Sequence, residues 1–222
     1  MRADVLVGPS PWVVEQFGDK VAAELWTRVP EALSTAIDRE VNAHPTTTQT
    51  TERMIANPRW PLPYEELVLF LGNLPGAEII SVPKSAYQLV VIRGHVLLPW
   101  CYGQSAQLSM RDATLGRSFG RLARELLRRL GTPWRRSATE QPLPLDAVDE
   151  REVSKICGAV TKLDPKPEVV IAGYAGTANH GLLRACLGEV AAAEGGYIRW
   201  NHVTDLPLPP PVIPRPRRLQ FP

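Results

Sequence analysis

Four arginines recur along one predicted helix at spacings that suit phosphate binding. They are separated by four, three and four residues. At about 100° per residue they share one helix face, and the leucines of the same segment share the opposite face. A row of guanidinium groups can pair with successive phosphates of DNA or RNA. With two arginines beyond the predicted helix end, the candidate nucleic-acid or anion-binding residues are Arg117, Arg121, Arg124, Arg128, Arg135 and Arg136.

The charge around this row is concentrated rather than general. Residues 111–136 hold eight arginines and two acidic residues, whereas the whole chain has 25 basic and 23 acidic residues. Two other interpretations remain open. The row is a solvated helix face, partly neutralised by the acidic residues of segment 140–152, or it docks an acidic protein partner. Repulsion among the four like charges favours a partner of some kind.

A glycine-containing segment near residue 175 predicts a loop between a strand and a helix. Backbone N–H groups in such a loop, together with a helix N-terminus, can hold a phosphate or carboxylate group. Leu182 and Leu183 stand where a nucleotide-hydrolysing loop has Lys and Ser or Thr, which disfavours that chemistry. An ordinary strand-to-helix turn is the alternative. The candidate ligand-loop residues are Gly173, Gly176, Thr177, Asn179 and Gly181.

Two histidines and an aspartate near the predicted late strand ends are candidates for catalysis. If the strands flanking the predicted helix are parallel, their carboxyl ends share one sheet edge, where ligands commonly bind. His180, His202 and Asp205 would then lie close together. A purely structural role is the favoured alternative for each histidine.

Several function classes are disfavoured. The chain has no Cys-x2-Cys or His-x3-His spacing, so we expect no metal and no cofactor. The three cysteines lie in apolar segments, as core residues do. The sequence contains no run of about 18 apolar residues, so we expect no membrane span. We expect a soluble, cytoplasmic protein, and an oligomer is compatible with the composition.

The first half predicts helices and then a hairpin. Apolar spacing predicts a helix over 11–26, with Ser10 as its cap, and a second helix that restarts at residues 29–30. A short helix is predicted over 64–71. Segment 77–101 predicts two or three antiparallel strands, with Arg93-Gly94 as the hairpin turn.

The second half predicts a long helix, a shorter one and a βαβ unit. The long helix covers 114–130 and ends at Gly131, and the shorter one covers 149–160. A strand at 168–172, a helix at 181–193 and a strand at 197–203 have the length of a βαβ unit. The tail after residue 206 contains seven prolines, which predicts an extended polyproline segment.

These elements predict an α/β fold, with a mixed α+β arrangement as the alternative. The helical N-terminal part packs on a mixed sheet built from the hairpin and the βαβ unit. Residues 1–206 form one domain, with a boundary near 134–150 as the alternative, and 207–222 form the tail. The favoured function is a regulatory or binding protein that holds nucleic acid on the arginine face. The alternatives are an enzyme with a small-ligand or phosphate site at the βαβ unit, and an interaction component of a larger complex.

Overall fold

The chain forms one mixed β-sheet with helices on both faces. The computed structural model describes residues 8–43, 61–114, 119–132, 134–135, 147–194 and 197–210. The elements in chain order are α1 (Pro11–Phe17), α2 (Asp19–Ala43), α3 (Leu62–Leu71), β1 (Ala77–Ser81), β2 (Gln88–Ile92), β3 (His95–Gly103), the 3-10 helix η1 (Met110–Asp112), α4 (Arg121–Leu130), β4 (Trp134–Arg135), α5 (Ala147–Val160), β5 (Glu168–Thr177), β6 (Gly181–Glu194) and β7 (Tyr197–Leu206).

The sheet is mixed because two antiparallel groups of strands meet at a parallel pair, and the short strand β4 also runs parallel to β6. The strand order is β1-β2-β3-β5-β6-β4, and β7 pairs with β6. The first three strands are antiparallel, as are β5, β6 and β7. Between the groups, β3 and β5 run parallel, from the pair His95–Glu168 to the pair Gly103–Ala175. The predicted α/β class and mixed sheet are confirmed.

Each face of the sheet carries its own apolar core. Helices α1, α2 and α3 cover one face, where Phe17 and Leu33 are fully buried. Helices α4 and α5, with η1, cover the other, where Trp100, Leu126 and Ile156 are buried. The helical N-terminal cover that the sequence predicts is therefore present.

The N-terminal helices begin where expected but break elsewhere. The Ser10 hydroxyl oxygen accepts a hydrogen bond from the Val13 N–H at 3.5 Å, which confirms the predicted cap. The chain then turns at Gly18, whose φ of 71° suits glycine. The expected restart at residues 29–30 is wrong, because α2 continues through Pro30. Pro30 removes one helical hydrogen bond, but burial of Leu33 one turn later holds the helix on the sheet.

The central hairpin follows its turn residues. Arg93 and Gly94 have φ values of 49° and 80°, so both central residues are left-handed, as in the turns that match strand twist. The three-stranded form of segment 77–101 is confirmed. The turn docks on the rest of the molecule, since the Arg93 N–H donates to the Gly76 carbonyl at 3.0 Å and the Glu168 N–H donates to the Gly94 carbonyl at 2.8 Å.

Residues 181–193 form a strand, so the predicted βαβ unit is wrong. Ala and Leu at helical spacing favour a helix locally. In the fold, however, successive β6 side chains enter opposite cores: Ala185 and Leu187 face α1–α3, and Cys186 faces α4–α5. Burial on both faces favours a strand whatever the local propensity. Strands β5, β6 and β7 form an antiparallel meander.

The helix predicted over 114–130 is shorter in the structure, where α4 covers Arg121–Leu130. Thr114 makes a β-bridge to Tyr197, residues 115–118 lie outside the described residues, and α4 begins after Gly120. Gly131 ends α4 with a φ of 98°, as expected. The helix predicted over 149–160 is present as α5, with Val153, Ile156, Cys157 and Val160 buried.

None of the described helices combines the length and apolar character needed to cross a bilayer. The end of the predicted proline-rich tail, residues 211–222, falls outside the part of the chain that the structure describes.

Glycines on β5 and β6 make room for a buried methionine. A Cβ placed on Gly188 would lie 2.6 Å from the Met110 methyl carbon and 2.7 Å from the Trp200 ring. A Cβ on Gly173 would overlap the Met110 sulfur. Met110 is fully buried, so its side chain can shift only against closely packed neighbours.

Two glycine-to-alanine substitutions should have opposite effects on stability. Gly188→Ala forces a side chain into Met110 and Trp200 and should lower the free energy of unfolding by about 1–3 kcal/mol. Gly158→Ala in α5 should raise it by about 0.5–1 kcal/mol, since its Cβ meets nothing within 4 Å and alanine favours the helix. Urea unfolding of both variants tests this, and equal effects would contradict the packing described.

One carboxyl oxygen in α2 is buried and has no hydrogen-bond partner in the described part of the chain. Glu40, near the end of α2, is 3% exposed, and its Oε1 has no hydrogen-bond partner among the described residues. Burial raises the pKa of Glu40 to about 7 from its usual 4.5. Folding therefore favours the protonated form of this side chain.

Stability should fall between about pH 4.5 and 7 as Glu40 loses its proton in the folded state. Below the unfolded pKa this group costs nothing, and above its folded pKa the cost is complete. The free energy of unfolding of Glu40→Gln should therefore exceed that of the wild type by about 1–3 kcal/mol at pH 8. At pH 4.5 the two free energies should be equal. Urea unfolding at both pH values, with the exposed Glu15→Gln as control, measures the difference. Parallel pH profiles for all three proteins would refute the assignment.

Candidate anion-binding surface

Helix α4 presents its apolar residues to the sheet and its arginines to solvent. Leu122, Leu126 and Leu127 are buried in the core. The side chains of Arg121 and Arg128 keep relative exposures of 43% and 60%. Arg117 and Arg136 lie outside the described residues, as does the side chain of Arg135, whose backbone forms part of β4.

Every arginine of α4 already has a partner within the protein. Arg121 pairs with Glu150 at the start of α5. The Nε of Arg124 donates to the Phe119 carbonyl at 2.9 Å. Both Arg128 and Arg129 bind Glu125, at 2.7 and 2.6 Å. The row is therefore partly neutralised by local acids, including one from the acidic segment 140–152.

Glu125 is held strongly in its charged form. Hydrogen bonds from Arg128, with a further one from Arg129, lower the pKa of Glu125 to about 2. At neutral pH this carboxylate competes with any anion that approaches the two guanidinium groups.

Helices α4 and α5 form one surface. Arg121 of α4 reaches Glu150, and the Arg129 guanidinium donates to the Ser154 hydroxyl at 3.4 Å. Since Glu150 and Ser154 are four residues apart, they lie on one side of α5. The next side of α5 carries Arg151 and Lys155, which are both exposed and also four residues apart.

The connection between β1 and β2 lies against that side of α5. The Ser85 N–H donates to the Val82 carbonyl at 3.0 Å and closes a turn. Lys84 occupies the turn with a φ of 65°, a conformation that favours glycine. The Ala86 N–H donates to Glu152 at 2.6 Å and ties the connection to the helix.

A cleft of about 350 Å³ lies between this turn and α5. Three cationic side chains line it, together with one carboxylate that already accepts the Ala86 N–H. Within the described part of the chain, none of the three cations has an acidic side chain within ion-pair distance. The lining residues are Val82, Pro83, Lys84, Ser85, Arg151, Glu152 and Lys155.

Sequence reasoning missed this cleft. The segment around Lys84 signals only the end of a strand, and it lies far along the chain from α5. The pair Arg151 and Lys155 did carry a signal, because a spacing of four places both on the helix face away from its buried residues. Their meeting with Lys84 depends on the tertiary structure.

The predicted glycine loop is a β-hairpin, and two of its glycines serve packing. Gly173 lies within β5 beneath Met110, and a Cβ on Gly176 would lie 2.6 Å from Ile37. In the hairpin turn, the Thr177 hydroxyl lies 3.1 Å from Nδ1 of the His180 ring. The same hydroxyl accepts the backbone N–H of His180 at 3.0 Å. No helix follows the turn, so the expected helix N-terminus is missing there. Two other residues of that prediction, Asn179 and Gly181, complete this turn.

The three candidate catalytic side chains do not converge. His202 pairs with Glu189 and Asp205 pairs with Cys186 across β6 and β7, whereas His180 lies beyond the far end of β6. At about 3.3 Å per residue, His202 is roughly 25 Å along the strand from the His180 turn. The expectation failed because it assumed parallel strands.

Two of these side chains have structural contacts instead. His202 stacks on Trp12 with ring centroids 5.4 Å apart. Asp205 accepts hydrogen bonds from Arg184 at 2.6 Å and from the Cys186 thiol at 3.1 Å. Burial raises the pKa of the Cys186 thiol to about 12, so it stays protonated.

Among the described residues, no group of three or more His, Cys, Asp or Glu side chains is placed to hold a metal ion. Comparison of the chain with protein-family models, with curated proteins and with solved structures finds no match.

Glu125→Gln should weaken folding and free two arginines. Loss of the ion pairs should lower the free energy of unfolding by about 1 kcal/mol at pH 7, allowing for solvent screening. Because the pKa of Glu125 is lowered on folding, the wild type should lose this increment as pH falls from about 4.5 towards 2, and the variant should not. Urea unfolding at pH 7 and about pH 3, with the exposed Glu78→Gln as control, tests both signs. An unchanged pH profile in Glu125→Gln would contradict the pairing.

Proposed function

We propose that the protein binds nucleic acid through phosphates held on the surface of α4, α5 and the 82–85 turn. The observation that carries this proposal is the cleft, where Lys84, Arg151 and Lys155 meet without ion-pair partners among the described residues. Like charges repel, so their grouping is unfavourable in the absence of an anion. The arginines of α4 extend the same surface through the contacts between α4 and α5.

The paired arginines of α4 remain usable by a ligand. Ion pairs on the surface contribute about 0–1 kcal/mol each, so an incoming phosphate can displace a carboxylate at small cost. Arg121 and Arg128 are exposed enough to make this exchange. Glu125 and Glu150 weaken the attraction between these arginines and an anion. Anions with few charges should therefore bind poorly.

The surface is suited to the backbone of a nucleic acid rather than to its bases. Base readout needs donors and acceptors set in a groove, or aromatic rings for stacking. The exposed side chains described on α4 and α5 are mainly charged, and the exposed aromatic Tyr197 lies on β7. We expect binding that depends on phosphate and little on sequence.

Binding of labelled single- and double-stranded DNA and RNA should weaken steeply with salt. Between about 50 and 200 mM salt, the affinity should fall by at least tenfold, since each neutralised phosphate releases counterions. Replacing Lys84, Arg151 and Lys155 together by alanine should reduce the slope of log affinity against log salt by about 2–3. Fluorescence anisotropy measures both quantities.

The matched control replaces three exposed cations on other elements, Lys20, Lys166 and Arg199. It changes net charge equally and should leave the salt slope nearly unchanged. The proposal would be contradicted if no nucleic acid bound at low salt, or if both triple variants lost the same amount of affinity. Binding of an acidic protein with no affinity for nucleic acid would also count against it.

A further inference from the structure

The cleft beside α5 has the charge and size for one strongly charged group. Its lining holds Lys84, Arg151 and Lys155 against Glu152, an excess of two positive charges. We propose that it binds a phosphomonoester, such as the terminal phosphate of a nucleic acid strand. The strand-end form of this inference rests on the proposed function, and binding of the phosphate group itself does not.

Charge distinguishes a phosphomonoester from a phosphate within a strand. A monoester carries about −1.5 to −2 at pH 7, with a second pKa near 6, whereas a diester carries one negative charge. The excess of two positive charges in the lining matches the monoester. An internal phosphate also carries a sugar on both sides, and a terminal phosphate can enter the cleft end-on.

The cleft is held in shape before any ligand arrives. Ser85 fixes the turn through its hydroxyl, which accepts the Tyr87 N–H at 3.0 Å, and through its own N–H to Val82. Glu152 holds the turn against α5 by accepting the Ala86 N–H at 2.6 Å. A fixed frame lowers the entropy cost of binding. Glu152 thus has a structural task, which explains a carboxylate in a cationic cleft.

Lys84 stands where the backbone favours glycine. With a φ of 65°, any side chain there is under steric cost that glycine avoids. In this position the lysine adds a cation to the lining that Arg151 and Lys155 share. Residues with strained backbone conformations cluster at binding sites. Lys84 fits this pattern, because it is unfavourable for the backbone and supplies charge to the lining.

The test compares oligonucleotides of about 12 nucleotides that differ only in a 5′-phosphate or 5′-hydroxyl, with the label at the 3′ end. The phosphorylated strand should bind about tenfold more tightly at pH 7.5, as charge-assisted contacts to one added group allow. The ratio should shrink as pH falls towards about 5, because the monoester gains a proton and loses negative charge.

Lys84→Gly separates binding from folding. Its urea midpoint should equal or exceed that of the wild type, since glycine adopts the turn conformation without strain. Its affinity for the two strands should become nearly equal. The control Lys162→Ala removes an exposed cation just beyond α5 that does not line the cleft, and it should keep the tenfold ratio.

A nucleoside 5′-monophosphate, titrated calorimetrically, distinguishes a strand end from a free small molecule. If it binds as tightly as the phosphorylated strand, and Lys84→Gly abolishes this, the cleft takes a free phosphomonoester. That result supports the inference even if no strand binds. If both strands bind equally with steep salt dependence, the inference is overturned and the nucleic-acid proposal stands. If no phosphate compound binds, both are overturned.

Discussion

The parallel pairing of β3 with β5 is the constraint on which the rest of the structure depends. Two neighbouring parallel strands cannot be joined by a tight turn, so the chain must cross one face of the sheet between them. That crossover contains η1, α4, β4 and α5. Both helices of the candidate surface therefore belong to the crossover, whereas its 82–85 turn does not, and the helices are fixed because their apolar sides complete the second core. The other face is closed independently by α1–α3.

Charge is arranged differently on the two parts of this surface. On α4, each described arginine has a partner, and Glu125 serves two of them. In the cleft, the carboxylate that lines it is occupied by a backbone N–H, and the cations are left to attract an anion. An arginine row that looks decisive in the sequence thus has a large structural component. The three cations of the cleft, by contrast, have no acidic partner within ion-pair distance among the described residues.

The parts of the fold that follow local rules could be predicted from the sequence. The Arg93-Gly94 turn sets its hairpin, Ser10 caps its helix, and the buried face of α5 follows from its spacing. Strand β6 could not be predicted this way, because its small apolar residues suit a helix locally and are buried on both faces only in the sheet. Because residues 181–193 form a strand, His180 lies far from His202 and no helix follows the glycine-containing turn. The expected catalytic group and the expected phosphate loop both depended on that helix. The cleft was out of reach because Lys84 and Arg151 meet only through the packing of α5 beside β1.

The distribution of charge over the whole chain also bears on selectivity. The net charge is only +2, so long-range attraction to anions is weak. A local excess inside a cleft acts over about one Debye length, about 8 Å at physiological salt. Under the binding proposed above, such a surface would discriminate by local complementarity rather than by total charge. A strongly cationic chain would adhere to any polyanion, whereas the proposed site would favour ligands that place concentrated negative charge at one point. The acids beside α4 act in the same direction, since they make each additional phosphate contact an exchange of partners.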